Sequence, residues 1–437
     1  VNSGPMTAEA IVRLALASGR WFVDRQISPR TGRPLVVIGK DTRASGYMVE
    51  AAMVAGFTSI GMDCKLLGPV PTAGVSYLTQ SLRADLGVMI SASHNPFQDN
   101  GVKLFGPDGY KLADEIESGI SDLAAGSIAL AEPSNLGRAS RMFDSVGRYV
   151  EFTKSTLCSS VRFDGLKVVV DCANGAAYRT APDTLIDLGA TVIPLANNPD
   201  GFNINEGCGA VHPAAMSAAV VAHDADVGIA LDGDADRLII ADEKGSIVDG
   251  DQLLASLAST MLADGRLQGG GVVGTVMTNG GIEPYLDSLG LVFHRTAVGD
   301  RYVLENMRAE GINLGGESSG HILMTSLSAS GDGLIAALQM LEILSKSDQP
   351  ASEILNVFTP KYQQLKNLKK MDREILTHKY MIDGLDEIAN SMGDTGRILV
   401  RPSGTEPLIR VMVEANSKSV VDRKMAEIIF LLKNKSI

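Results

Sequence analysis

Short apolar runs alternate with longer amphipathic stretches along the chain. Leu35-Val36-Val37-Ile38-Gly39 reads as a buried strand ending in a glycine-bearing loop, and a helical stretch follows over about 48–60. Val168-Val169-Val170-Asp171 and Val272-Val273-Gly274-Thr275 repeat the passage from strand into loop. Strands apolar on both faces, separated by helix-length segments, predict α/β architecture. There is also an internal echo. Ala84-Asp85-Leu86-Gly87-Val88-Met89-Ile90-Ser91-Ala92-Ser93 aligns without gaps on Ala225-Asp226-Val227-Gly228-Ile229-Ala230-Leu231-Asp232-Gly233-Asp234, and Ser93 falls opposite Asp234. Such strings also arise by chance in α/β proteins. The strand-into-loop cycle recurs around each copy, however, which favours a true repeat, and strand starts near 35, 168 and 272 suggest three related modules.

The boundaries are soft. Residues 126–140 are rich in Ala, Gly, Ser and Pro and read as loop. Asp249-Gly250-Asp251 precedes a new helix, with Asp249 or Asp251 as its N-cap. A polar break falls at 345–350, and 361–379 is charged and poor in strand signals, so a distinct fourth domain is expected after about 357. The expected division is 1–150, 151–249, 250–357 and 358–437.

Composition narrows the function. At ~150 residues per domain, 437 residues are too many for one simple core. The 45% hydrophobic and 21% charged content argues against disorder. A net charge of −12 disfavours a protein that coats nucleic acid, though not one that holds a small anion in a locally basic cleft. Cys64, Cys158, Cys172 and Cys208 are scattered and form no CxxC, which points to a reducing compartment. With no long apolar run and no signal-peptide pattern at the start, the expectation is a cytoplasmic protein with no membrane partner. The first residue is Val1 rather than Met, so residues ahead of it or processing are expected.

Four segments carry chemistry. Ser91-Ala92-Ser93-His94-Asn95-Pro96, followed by Asp99-Asn100-Gly101-Val102-Lys103, puts a small hydroxyl residue at a strand end. Asn-Pro and Asn-Gly enforce turns, and His94 and Lys103 supply protonatable groups, as an activated serine needs. Taken alone, the segment reads equally as ordinary strand-to-turn punctuation. Asp232-Gly233-Asp234-Ala235-Asp236-Arg237 places three carboxylates on one side of an extended chain. Their repulsion calls for a cation, and oxygen ligands suit Mg²⁺ or Ca²⁺. The spacing partly matches an EF-hand, but Arg237 stands where that loop needs Gly, and both flanks read as strands rather than helices.

In Gly315-Gly316-Glu317-Ser318-Ser319-Gly320-His321, Glu317, Ser319 and His321 alternate as hydrogen-bonding side chains suited to vicinal sugar hydroxyls; a capped Gly-rich turn reads the same way. Arg401-Pro402-Ser403-Gly404-Thr405-Glu406-Pro407, with Arg410 beyond, combines guanidinium, hydroxyls and a Gly-freed backbone into an anion cradle, phosphate being its natural guest. No zinc-type pairing of His or Cys competes.

Four such loops in this order resemble the α-D-phosphohexomutase superfamily over nearly the whole chain. Ile90-Ser91-Ala92-Ser93-His94-Asn95-Pro96, Asp171-Cys172-Ala173-Asn174-Gly175-Ala176, Ile204-Asn205 with Cys208-Gly209, Val298-Gly299-Asp300-Arg301-Tyr302-Val303 and the Glu317 loop resemble its bacterial members that act on glucosamine phosphate. The resemblance implies three similar α/β domains with mixed sheets and a C-terminal α+β domain around a central cleft. It implies interconversion of glucosamine 6-phosphate and glucosamine 1-phosphate; glucose or mannose phosphates, or a non-catalytic binding relative, are the alternatives. Family members usually open on Gly-Thr-Asp-Gly-Ile-Arg-Gly, which is expected just ahead of Val1.

On this reading Ser93 carries a phosphoryl group. Mg²⁺, one per chain, sits on Asp232, Asp234, Asp236 and a phosphoserine oxygen. Lys103 is the candidate base, with Arg43, Arg237 and His94 in support. Glu317, Ser319 and His321 grip the sugar, and Arg401, Ser403, Gly404, Thr405 and Arg410 hold its phosphate. Glucosamine or glucose 1,6-bisphosphate would act as activator. The partners expected are a small phosphosugar substrate and, at most, a second copy of the chain, since monomer and homodimer stay open.

Overall fold

The computed structural model describes residues 1, 4–25, 32–369, 372–402 and 408–434. Three of its four sheets share one plan. In the first, β1 (Leu35–Lys40), β2 (Asp63–Pro69), β3 (Leu86–Ile90), β4 (Val102–Phe105) and β5 (Ala139–Arg141) lie in the order β4-β3-β1-β2-β5. The second joins β6 (Lys167–Asp171), β7 (Thr191–Leu195), β8 (Val227–Leu231), β9 (Leu238–Asp242) and β10 (Ile247–Val248) as β10-β9-β8-β6-β7. The third joins β11 (Gly271–Thr275), β12 (Val292–Thr296), β13 (Leu314–Gly316) and β14 (Ile322–Met324) as β12-β11-β13-β14. Each has a core of three parallel strands with an antiparallel return, β4, β9 or β14, on β3, β8 or β13; β5 adds a fourth parallel strand beside β2, and β10 a second antiparallel one beside β9.

The internal echo thus has a structural basis. β3 and β8 hold the same place in their sheets, and β13 holds it in the third. Ser93, Asp234 and Ser319 are each the third residue beyond those strands, which end at Ile90, Leu231 and Gly316. One repeated connection, between a parallel strand and its antiparallel return, carries the serine loop, the metal loop and the Glu317 loop. Such strand ends are where α/β sheets expose binding loops.

Burial explains the strand patterns. Along β1, Val36 and Ile38 pack into one core with Phe22, Val49 and Phe57, while Leu35 and Val37 pack into another. Side chains alternate across a strand, so a strand covered on both faces reads as a continuous apolar run. The second core is continuous from Val37 through Val170 and Ile229 to Val272 and Leu338, tying the three modules together. Asp249 caps the helix Gly250–Ala263 through the Asp251 and Gln252 N–H groups.

The fourth sheet is antiparallel, with β15 (Tyr362–Lys369), β16 (Gly396–Pro402) and β17 (Leu408–Ala415) in the order β15-β17-β16. The helix Lys418–Asn434 contacts it, and Val411, Val413, Val421 and Met425 form a separate core. Two expectations need correction. The segment 361–379, read as poor in strands, contains all of β15. It is a largely exposed edge strand, so it lacks the apolar face that would have flagged it. The division drawn at 150 falls inside the continuous helix Ser145–Ser155. Among the described residues no helix is long and apolar enough to cross a membrane.

Candidate active site

The serine loop leaves β3 and is held on every side. Ser91 Oγ donates to Asp41 Oδ2 at 2.6 Å and accepts the Ser93 N–H at 2.9 Å. Arg43 Nη2 donates to the carbonyls of Ser93 and Asn95 at 3.0 and 2.7 Å, and Asn205 Nδ2 donates to both at 2.9 Å. Ser93 itself sits at φ 51°, the left-handed region that L residues rarely adopt. This bracing turns its side chain to the metal loop, where Oγ donates to Asp232 Oδ2 at 2.6 Å.

The metal loop joins β8 to β9, both buried strands, so the EF-hand geometry is excluded. Asp232, Asp234 and Asp236 are buried, and each offers a carboxylate oxygen within 4.8 Å of the others. Asp232 Oδ1 accepts the N–H groups of Asp236 and Arg237 at 3.1 and 3.3 Å. Asp234 accepts from Thr72 Oγ1, and its Oδ1 is buried with no hydrogen-bond partner. Burial first, then the charges of Asp236 and Asp234, push the Asp232 carboxyl up to about 7. Crowded hard oxygens with an orphaned buried lone pair fit a divalent cation such as Mg²⁺.

Lys103, on β4, donates to Asp234 Oδ2 at 2.5 Å and to Asp236 Oδ2 at 3.0 Å. Burial works to lower its ammonium pKa, but Asp234 and Asp236 outweigh it and hold it above the usual lysine range. In this arrangement Lys103 is a counter-ion to the triad, not the free base expected of it. Arg43 is placed beside the serine loop, and its Nη1 is buried with no hydrogen-bond partner. Its guanidinium is fully buried, pairs with Asp41 at 3.2 Å and braces the serine loop from below. Arg237 is half-buried with Nε unpartnered. His94 has a buried, unpartnered Nδ1, and burial first, then Arg237, lowers its pKa and favours the neutral ring.

The Glu317 loop docks against the metal loop's far end. The Leu238 N–H donates to the Gly320 carbonyl at 2.9 Å, and a Cβ on Gly320, at φ +87°, would meet the Leu238 oxygen at 1.9 Å. Glu317 Oε1 accepts the Gly299 N–H at 2.9 Å, and Ser319 is half-buried beside it. His321 is buried, with Nδ1 3.5 Å from Asp236 Oδ1 and Nε2 3.6 Å from Asp300 Oδ2. The first three loops therefore converge.

The fourth loop belongs to another sheet. Arg401 and Arg410 are register partners across β16 and β17, and burial first, then Arg410, lowers the Arg401 pKa. Two like charges side by side favour an anion between them. Ser403, Gly404 and Thr405 lie outside the described residues. Sequence reasoning missed Thr72, Asn205, Lys111 and Asp300 as parts of the site. Asn205 and Asp300 stood inside the family-like strings, but Thr72 and Lys111 carry no local signature.

Comparison with known proteins covers nearly the whole chain. Models of phosphoglucomutase/phosphomannomutase match in order: alpha/beta/alpha domain I over residues 1–128, domain II over 147–245, domain III over 249–362 and the C-terminal domain over 358–429. The phosphoglucosamine mutase of Paracoccus denitrificans is 55% identical over 431 residues, 98% of this chain and 95% of that one. That of Phenylobacterium zucineum is 53% identical, covering 99% and 96%. Among solved structures, a phosphoglucomutase/phosphomannomutase family protein from Burkholderia thailandensis superposes with a TM-score of 0.82 at 24% identity, covering 98% of this chain and 93% of that one. An Aspergillus fumigatus N-acetylphosphoglucosamine mutase, solved with GlcNAc-6P and magnesium, gives 0.64 at 21% identity over 83% and 92%.

Proposed function

The chain belongs to the phosphoglucomutase/phosphomannomutase family, and from that membership we propose that it is a phosphoglucosamine mutase, interconverting glucosamine 6-phosphate and glucosamine 1-phosphate. Relatives more than half identical over almost its full length carry that name. The observation that carries the chemistry is the Ser93 hydroxyl held 2.6 Å from Asp232, inside a buried carboxylate triad.

In the resting enzyme Ser93 carries a phosphoryl group. Asp232, Asp234, Asp236 and the serine oxygen would hold Mg²⁺, which when bound supplies charge neutralisation to the transferring phosphoryl. The existing phosphate of the sugar rests against Arg401 and Arg410, with Ser403, Gly404 and Thr405 completing the cradle. Glu317 and Ser319 grip the ring hydroxyls. The phosphorus–oxygen bond to Ser93 breaks as one to the sugar hydroxyl forms, and the hydroxyl proton passes to a base; Lys103, the candidate, can take that proton only once its pairing to Asp234 and Asp236 is released and its own proton given up. His94, neutral beside Arg237, orients neighbours. The bisphosphate then reorients in the cleft and returns its other phosphoryl group to Ser93. Exclusion of water protects the phosphoserine through that turn.

A 1,6-bisphosphate of glucosamine or glucose primes Ser93, and the setting is cytoplasmic. A coupled mutase assay across glucosamine, glucose and mannose phosphates tests the reading. Preferred turnover of glucosamine phosphate is expected. Preference for glucose or mannose phosphate reassigns the substrate, and no turnover with any of them removes the activity.

A further inference from the structure

Helix Asp300–Glu310 of the third module is clasped to the first module at three points. Lys111 Nζ ion-pairs with Asp300, Arg301 ion-pairs with Asp114, and the Arg308 guanidinium lies 3.8 Å from the Tyr110 ring centroid. All three first-module partners sit within the short segment 110–114, just beyond β4, which itself carries Lys103. A cavity lined by Lys111, Asp300, Arg301 and Arg308 lies along this seam.

The same helix start grips the Glu317 loop. The Gly299 N–H holds Glu317 Oε1 at 2.9 Å, and Asp300 Oδ2 lies 3.6 Å from His321 Nε2. On its other side His321 faces Asp236 at 3.5 Å, and Asp236 faces Lys103 at 3.0 Å. The contacts thus run Lys111, Asp300, His321, Asp236, Lys103, beginning and ending in the first module and passing through the third and second. Asp300, like Lys111, touches no triad member, serine or candidate base. Burial opposes its charge, but His321 and Lys111 outweigh it and hold the carboxyl below the usual range, so it is a fixed anion.

Resting on the mutase reading for its kinetic arm, we propose that Asp300, braced by Lys111, is a positioning residue that holds His321, and with it the loop 317–320, in place over the metal loop. The geometry is over-determined. A backbone bond from Leu238 of the second module anchors the loop at Gly320, and one from Gly250, at the start of the third, anchors it at Ser318. From the other side the Gly299 N–H bonds Glu317, and Asp300 faces the buried His321 Nε2, which has no hydrogen-bond partner, at 3.6 Å. Release of the Asp300 side frees the imidazole to turn and the sugar contacts to drift, and small misplacements of that kind are costly to turnover.

The test compares Lys111→Met, Asp300→Asn and the charge-keeping Lys111→Arg with wild type. Lys111→Met is expected to raise KM for glucosamine 1-phosphate and lower kcat, by about tenfold or more in kcat/KM. Lys111→Arg should restore most of that loss, which a mere fold-stabilising role would not require. The second readout needs no turnover. The chain has 6 histidines, so the His321 imidazole can be assigned by nitrogen NMR with a His321→Asn control. Its resonances should shift in both Lys111→Met and Asp300→Asn, and the Asp300→Asn spectrum decides the matter if Lys111→Met does not fold. Wild-type kinetics in Lys111→Met, or an imidazole unmoved in Asp300→Asn, overturns the proposal. A wild-type protein that turns over no phosphosugar defeats the mutase reading instead, and the spectrum still tests the clasp.

Discussion

Ser93 Oγ donates to Asp232 Oδ2 at 2.6 Å although 139 positions separate the two residues. The contact exists because each residue lies in the same connection of two successive repeats, and the connections face one another. Gly233 makes the approach possible, since a Cβ there would stand 2.5 Å from the Ser93 carbonyl oxygen. The proposed nucleophile and its proposed cation site are thus joined by symmetry of the fold rather than by proximity in the chain.

Ser93→Ala is expected to end phosphoryl acceptance. Wild type treated with glucose 1,6-bisphosphate should gain about 80 Da, one phosphoryl group on a serine, and the variant should gain nothing. Loss of the hydroxyl leaves a buried carboxylate oxygen without its donor, at a cost of about 1–3 kcal/mol. Intact mass with a thermal melt separates the two effects. A variant that still takes up the phosphoryl group removes Ser93 from the chemistry.

Gly233→Ala tests the close approach itself. The substituent would press on the Ser93 carbonyl and on Asn205 Nδ2, 2.8 Å away. Both belong to the bracing of the serine loop, so the loop must give way. Overpacking of this kind costs about 1–3 kcal/mol, and turnover should fall far more than folded yield. Unaltered kcat in a folded Gly233→Ala protein would show that the serine and metal loops need not touch.

Much of this site was legible in the residues and some of it was not, for physical reasons. Val36 and Ile38, buried on one face, and Leu35 and Val37, buried on the other, announced a doubly covered strand. Asp232, Asp234 and Asp236 announced a crowded carboxylate cluster able to hold a cation, because charge crowding is a local property of spacing. The Ala84 and Ala225 echoes pointed to repeated modules, since repetition leaves the same buried strand each time. Thr72 and Lys111 were silent. Each acts through a contact 162 or 189 positions away, and a single polar residue carries no periodicity. β15 was misread for a related reason, an exposed edge strand having no apolar face to display. Arg43 was seen, but not its bonds to the Ser93 and Asn95 carbonyls, because spacing alone does not show which backbone groups a guanidinium reaches.

Asp234→Asn should weaken divalent-cation binding and lower the rate together. The substitution removes one of three buried charges and replaces one carboxylate oxygen with an NH2 group that cannot ligate. It also deprives Lys103 of its partner at 2.5 Å. Mg²⁺ titration by calorimetry, beside turnover at saturating metal, reads both effects. An unchanged affinity would take the triad out of metal binding.

The last prediction concerns how the fourth module stays attached. Glu414 is buried, accepts from Arg397 at 3.0 Å and from the Gly280 N–H at 3.0 Å, while Arg397 also donates to the Val276 and Thr278 carbonyls at 2.8 and 2.6 Å. The fourth sheet therefore grips loop 276–281 of the third module through the Arg397–Glu414 pair, beside the bonds of Gln363 to the Met277 carbonyl and of Asn279 to the Lys361 backbone. Burial would raise the Glu414 carboxyl, but Arg397, with help from Gly280, outweighs it and holds the pKa below the usual glutamate range. A depressed carboxylate stabilises the fold fully above its unfolded value, and the contribution is lost as pH falls through the depressed one. Glu414→Gln should remove that part of the acid sensitivity, so its stability curve should lie below wild type at pH 7 and converge with it in strong acid. Because Arg397 is partly exposed, the loss at pH 7 should be about 2–3 kcal/mol, less than for a fully buried pair. Urea unfolding between pH 7 and pH 3 measures both curves. Parallel curves that never converge would mean that Glu414 is not the titrating contact at this seam.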